Sequence, residues 1–341
     1  MARPSRHVLV LTLLAIVLTA AGCGSDPETE AAEVGEIVYA KSGVDTTGAP
    51  KAHVQLPSGR LDVRAGAPVE SLTSDATRER TPRDAPGGGA FVPITWTFRT
   101  ADMEKLAHLF GRPRTVEMTL VSQGERYKLP PPTTERDGER ADAYYIAVEG
   151  AGEKATLEVD YAGETQSLDL RTGKRSAGRA AGLYDVDPAD YSAKLKTCPS
   201  SEWTDFGPLV QSTFTCSSGD VMVAPFVDGE WAPEGKTFAV VGLSSNLTSY
   251  AVYSATGAGA TYLATSSKEK SELDGKRPTT IIDESGSAGF AAGFLVFTLD
   301  RRLPNALTFH RTYQLQRQAI VGDVRAPFAL TIDIVGNMPL S

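Results

Sequence analysis

Three cysteines carry most of the chemistry open to this chain, and each has a distinct setting. Cys23 closes a leader in which Arg3 and Arg6 give a positive start, Val8 to Ala21 is an unbroken run of apolar or small residues, and Ala20-Ala21-Gly22 precede the thiol. That order is the pattern of a secretory signal peptide. As a helix the apolar run spans roughly 21 Å against a hydrocarbon core of about 30 Å, so it is too short to cross comfortably. Cys198 and Cys216 then remain as an even pair in an exported chain, and a disulfide between them is the expected state. Closing a loop of that length contributes roughly 3 kcal/mol in the chain-entropy model. A redox centre would want Cys-x-x-Cys spacing, which this chain lacks.

Other reactive side chains are sparse or scattered. Beyond the leader, His53, His108 and His310 stand far from one another and from any cysteine. Zinc needs three or four converging ligands, so no metal and no cofactor is expected. The three histidines read as an exposed helix face (His108) and two strand positions. No Gly-x-Ser-x-Gly elbow occurs. Gly257-Ala258-Gly259 lacks the third glycine and the Lys-Ser/Thr of nucleotide loops, so it reads as a hairpin or bulge. Asp185, Asp187 and Asp190 suggest calcium, but the glycine and distal glutamate of a calcium loop are missing. Asp187 also reads as a helix N-cap with Pro188 at the first helical position. The calcium reading stays open beside that structural one. Trp96 alternates with Ile94 and Phe98 and reads as core. Trp203 lies within the Cys198–Cys216 loop, where packing on the disulfide accounts for it. Trp231 follows the turn Asp228-Gly229-Glu230, the best place for an exposed aromatic, although core packing is the commoner fate of tryptophan.

Length and charge bound the rest. The 341 residues exceed one ordinary core and suit two domains. The net charge is −8, and loss of a leader carrying Arg3 and Arg6 makes the remainder more acidic still. With no basic run, nucleic acid is not an expected partner. An acidic chain is also repelled by anionic headgroups, so any anchor must be covalent.

The elements that would hold these residues are strands. The reading is all-β, two tandem β-sandwiches with at most a short helix each. Residues 1–22 are the signal peptide and 23–35 a flexible, acidic tether. The first sandwich covers 36–170, a linker 171–185, and the second sandwich 186–341. Val54 and Leu56, then Leu61 and Val63, alternate with polar residues around the turn Pro57-Ser58-Gly59-Arg60, which predicts a hairpin. Phe91 to Phe98 is a strand whose Pro93 suggests an edge or bulge. Met103, Leu106, Ala107 and Phe110 predict one helix, capped by Thr100 and stopped at Gly111 and Pro113. The second half repeats this grammar: Thr237 to Leu243 parallels Phe91 to Phe98, and Phe294 to Leu299 with Leu307 parallels Leu157 to Tyr161 with Leu168.

Two resemblances follow from these motifs. The series Ala20-Ala21-Gly22-Cys23 resembles the processing site of a bacterial lipoprotein precursor. The resemblance implies cleavage after Gly22 and a diacylglyceryl thioether on Cys23, which becomes the N-terminus. Ala20 stands where a large aliphatic residue is usual, with Leu18 two places earlier. Two chains on one cysteine anchor stably where a single chain binds marginally. The series Gly235-Lys-Thr-Phe-Ala-Val-Val-Gly-Leu243, then Gly293-Phe-Leu-Val-Phe-Thr-Leu299 and Leu307-Thr-Phe309, resembles immunoglobulin-like domains of Gram-positive lipoproteins and secreted antigens. It covers residues 219–312, and 89–170 more loosely. Together they imply a cell-membrane protein anchored through Cys23 on the extracytoplasmic face. It would bind a protein or envelope partner without catalysis. A ligand-binding lipoprotein serving a transporter and an envelope hydrolase are the alternatives.

Overall fold

Period-two alternation of apolar residues builds nearly every element of this chain. The computed structural model describes residues 29–133, 141–186, 196–198, 209–300 and 304–339, and its architecture is all-β. The leader and Cys23 lie outside the described residues, as do Asp187, Pro188, Asp190 and Trp203.

In chain order the first sandwich contains β1 (Ile37–Tyr39), β2 (Ala52–Leu56), β3 (Gly59–Ala65), β4 (Gly89–Arg99), β5 (Val116–Ser122), β6 (Glu125–Leu129), β7 (Asp142–Glu149), β8 (Ala155–Tyr161), β9 (Glu164–Asp169) and β10 (Arg175–Ser176). One five-stranded sheet runs β1-β7-β4-β3-β2 and the other β10-β9-β8-β5-β6. Their inner faces meet through residues such as Val63, Ile94, Trp96, Met118, Leu157 and Val159, all within one apolar cluster. The β2–β3 hairpin has the predicted register, with Val54 opposite Leu61. Gly59 begins β3 at φ +152°, and a Cβ there would lie 2.4 Å from the Arg99 carbonyl oxygen, so only glycine fits.

Three local expectations are corrected. Pro93 lies in β4, an interior strand of its sheet rather than an edge. The N and C=O of one β-residue point to the same side, and the Pro93 carbonyl accepts the Gly66 N–H at 2.9 Å. Gly66 lies just past the end of β3, and pairing resumes at the Val69–Phe91 bridge with one extra residue on that side, so the missing proline N–H falls at a bulge, the other reading its sequence position offered. The predicted helix starts as a 3₁₀ helix (Ala101–Leu106) and ends as one α-turn (Ala107–Phe110). A three-residue period buries Met103, Leu106 and Leu109, with Phe110, and leaves Ala107 exposed. Thr100 makes no side-chain capping bond.

The segments read as tether and linker carry structure where they are described. Glu30–Ala31 pairs in parallel with Arg83–Asp84, and Ala32 is buried. Glu30 and Arg83 form an ion pair at 2.7 Å. Within 171–185, β10 pairs with β9, and a 3₁₀ helix over Gly178–Asp185 buries Ala180 and Leu183. Its Tyr184 hydroxyl accepts the Gln55 N–H and donates to the Gln166 side-chain oxygen.

The second sandwich contains β11 (Val210–Ala224), β12 (Thr237–Tyr253), β13 (Gly259–Glu269), β14 (Thr280–Gly286), β15 (Phe290–Leu299), β16 (Ala306–Val321) and β17 (Ala329–Pro339). One layer has the order β11-β12-β15-β14 and the other β13-β16-β17. The two are continuous because β12 pairs with β15 over Thr237 to Asn246 and with β13 over Tyr250 to Tyr253. Val241, Leu243, Leu295 and Phe297 of one layer share a core with Phe309, Tyr313, Leu315 and Ile334 of the other. Among paired elements, β4 therefore corresponds to β12 by strand order. The second parallel slips by one strand: β16 corresponds to β8, not to β9. Alternating apolar patterns do not distinguish neighbouring strands, so the slip is invisible in sequence.

The continuous apolar runs TFAVVGL and FLVFTL now have a cause. Ala239, Val241 and Leu243 point into the second core, whereas Phe238, Val240 and Val296 belong to the cluster built around the first sandwich. These strands are buried on both faces, which removes the usual polar alternation. At the junction, the helix carbonyls of Leu109 and Phe110 accept the Asp228 and Gly229 N–H groups at 2.8 and 3.0 Å. A turn from one sandwich thus caps a helix of the other. Gly111, at φ +76°, ends that helix, and a Cβ there would lie 3.0 Å from the Gly229 nitrogen.

Candidate functional site

The outer face of the first sheet is divided in two. One half is covered by the N-terminal segment, where Ala32, Val38 and Leu72 pack on Phe91, Tyr145 and Ala147. Among the described residues the other half is open. On β2, β3 and β4 the alternation that sends Val54, Leu61, Val63 and Trp96 inward sends His53, Arg60, Asp62, Arg64, Thr95, Thr97 and Arg99 outward. Register sets them in rows: Arg60 opposite Arg99, His53 opposite Asp62 opposite Thr97, and Arg64 opposite Thr95. Lys51 precedes β2 beside the Arg64 end. With Thr46 these residues line a concavity of about 420 Å³.

Its electrostatics run against the acidic chain. Among the described residues, four cationic side chains, Lys51, Arg60, Arg64 and Arg99, line it with a single carboxylate, Asp62. Asp62 lies 2.9 Å from the Arg60 Nε and 3.3 Å from the Arg99 Nε. Lys51 and Arg64 have no ion-pair partner among the described residues. At the sheet edge, the Arg175 guanidinium stacks 3.8 Å over the Tyr184 ring, and Tyr184 lies 5.4 Å from His53. Partial burial, then Arg60 and Arg175, hold the His53 pKa below its ordinary value, with Asp62 opposing. The face can bind anions through guanidinium forks and threonine hydroxyls.

A second polar cluster lies on β16 and β17. His310 Nε2 is 2.9 Å from Asp333 Oδ1, Thr312 donates its hydroxyl proton to the same carboxylate, and Lys270 lies 3.5 Å away. The hydrogen bonds from Thr312 and His310 hold the Asp333 carboxyl at about 2. A His–Asp pair becomes a base for nucleophilic attack only with a hydroxyl on the other ring nitrogen. Among the described residues no hydroxyl side chain bonds that ring, and Thr312 is committed to the carboxylate. The cluster is a surface ion-pair network.

The residues singled out from sequence fall as follows. Cys198 and Cys216 sit at disulfide distance, with Cα atoms 5.3 Å apart, and tie the stretch before the second sandwich to β11. Asp185 is exposed at the end of its 3₁₀ helix, and no cluster of potential metal ligands occurs among the described residues. His108 is exposed on the helix, with its ring 5.1 Å from Phe294. Gly257 and Gly259 serve the β12–β13 hairpin. Trp96 is core, stacked 4.8 Å from Tyr144. Trp231 is not an exposed contact. It is 9% exposed, donates its Nε1–H to the Tyr161 carbonyl at 2.9 Å, and sits edge-on to Phe226 in the junction. The open cationic face escaped the sequence reading. Its trace was there in Arg60-Leu-Asp-Val-Arg64, where every second residue is charged and two of the three are arginine.

Comparison with protein-family models, with curated proteins and with solved structures finds no match for this chain.

Proposed function

We propose that this protein is a lipid-anchored component of a bacterial cell envelope that acts by binding a protein or envelope partner rather than by catalysis. The observation that carries this reading is the open, cation-lined face of the first sheet, a surface of guanidinium, ammonium and hydroxyl binding groups. The anchor rests on the leader and Cys23, whose pattern supports lipidation on the extracytoplasmic face of the cell membrane. No helix among the described residues is long and apolar enough to cross a membrane.

We also read both sandwiches as immunoglobulin-like. Strand order supports this. In the second, β11-β12-β15-β14 over β13-β16-β17 follows the ABED and CFG order of constant-type domains. In the first, β3-β4-β7 over β6-β5-β8-β9 matches ABE and C′CFG, with extra strands at the edges. The shared junction core, centred on Phe226 and Trp231, would hold the two modules as one rod rather than as beads.

The test joins location to action. Cys23→Ser should release the protein from membranes or block its maturation, and crosslinking on intact cells should capture a partner only with the anchored form. Firm membrane attachment of Cys23→Ser would refute the anchor. Substrate turnover abolished by one side-chain change, with no captured partner, would refute the binding reading in favour of a hydrolase.

A further inference from the structure

The open face of the first sheet carries a more specific message than a general capacity to bind. Its cations are not spread evenly. Lys51 and Arg64 form one pole beside the β2 start, and Arg60 and Arg99 form a second where β3 begins and β4 ends. Arg60 and Arg64 are four positions apart on one face of one strand, so the poles are separated by roughly 13 Å at the usual strand rise. Between them lies the row His53, Asp62 and Thr97, in which the lone carboxylate leans toward the second pole. A single small anion can occupy one pole only. An extended chain with recurring negative groups can occupy both while its backbone crosses the threonine hydroxyls.

We infer that this face binds an extended polyanion, a linear polymer with repeated phosphate or carboxylate groups, laid along the strands from the Lys51–Arg64 pole to the Arg60–Arg99 pole. The inference rests on the reading of this face as a binding surface and names its ligand class. Charge complementarity supports it: four cations and one carboxylate line a groove in a chain of net charge −8. So does the chemistry of the donors. Guanidinium groups match the paired oxygens of phosphate and carboxylate. The Lys51 and Arg64 side chains are not spent on internal ion pairs among the described residues. Tyr184, with the Arg175 guanidinium stacked on it, lies beside His53 at the β2 edge, and the N-terminal segment covers the opposite half of the sheet.

The full chain, purified in detergent, is titrated with sodium polyphosphate and separately with poly-glutamate at low and high salt. Saturable binding that weakens with salt is expected, and the tighter probe identifies the anionic group. Lys51→Gln with Arg64→Gln removes one pole without breaking an ion pair among the described residues and should weaken binding at least tenfold, whereas Lys154→Gln, an exposed cation elsewhere, should leave it within twofold. Asp62→Asn removes the only carboxylate that lines the groove among the described residues and should tighten binding severalfold, a gain that misfolding cannot imitate. Absence of saturable binding to both probes would overturn the inference. So would binding unchanged by the double variant, or weakened by Asp62→Asn. Failure here, beside successful capture of a partner on cells, would remove the polyanion and leave the proposed function standing.

Discussion

Replacing Trp231 by alanine tests whether the two sandwiches are one body. The indole is 9% exposed, touches Phe226 edge-on with ring centroids 4.8 Å apart, and donates to the Tyr161 carbonyl at 2.9 Å. Truncating a buried tryptophan to alanine costs about 3–5 kcal/mol, from lost transfer energy and the cavity left behind. Trp231→Phe keeps most of the volume and removes the donor. The lost hydrogen bond to the Tyr161 carbonyl costs about 0.5–1.5 kcal/mol. The two costs fall at a junction where Phe110, Phe226, Phe238 and Val296 share one cluster. Calorimetry should therefore show one transition for the native chain. In Trp231→Ala the total stability should drop and the transition separate into two, while Trp231→Phe should keep one transition at lower temperature. Denaturant unfolding followed by far-ultraviolet circular dichroism gives the free energies. A Trp231→Ala loss below about 0.5 kcal/mol, the range of ordinary surface changes, would refute the rigid junction.

Glu269 and Arg311 form a buried ion pair between β13 and β16, with side chains 4% and 7% exposed. Glu269→Gln leaves the guanidinium uncompensated, so denaturant melts should show a loss of about 3–5 kcal/mol. Mass mapping of unreduced protein should find Cys198 linked to Cys216, and two free thiols would contradict it. Proton NMR should show His53 titrating below 6.5, and Arg60→Gln should raise that midpoint. With its folded pKa lowered, His53 contributes stability that is lost as pH falls through 6.5, because the unfolded chain takes up the proton first. Asp333 contributes stability present above its ordinary 3.8 and lost as pH falls toward about 2, and Asp333→Asn should flatten that acid limb of the stability curve.

Much of the fold was legible because period-two patterning fixes faces. Val54, Leu61, Val63 and Leu157 declare an inner face, and Pro57-Ser58 before Gly59 declares the hairpin. What patterning hides is partnership. TFAVVGL reads as a buried strand, but nothing local says that Phe238 and Val240 serve a different core from Ala239 and Val241. Trp231 follows a turn, the usual place for exposure, and only the approach of Tyr161 from another sheet makes it interior. The segment 171–185 is polar and small, yet Tyr184 finds Gln55 and Gln166 at long range, which no window of sequence displays. The cationic face was hidden for the same reason. Arg60 and Arg64 share one face of one strand, but only strand pairing brings the distant Arg99 and Lys51 to the same groove.

The central claim is that the open face of the first sheet is where this protein meets its partner. A photo-crosslinking residue at Thr97, on the groove floor, and another at the exposed Lys154 place probes inside and outside that face. On intact cells the account predicts an adduct from position 97 and none from position 154. Equal adducts from both positions, or none from position 97, would contradict it.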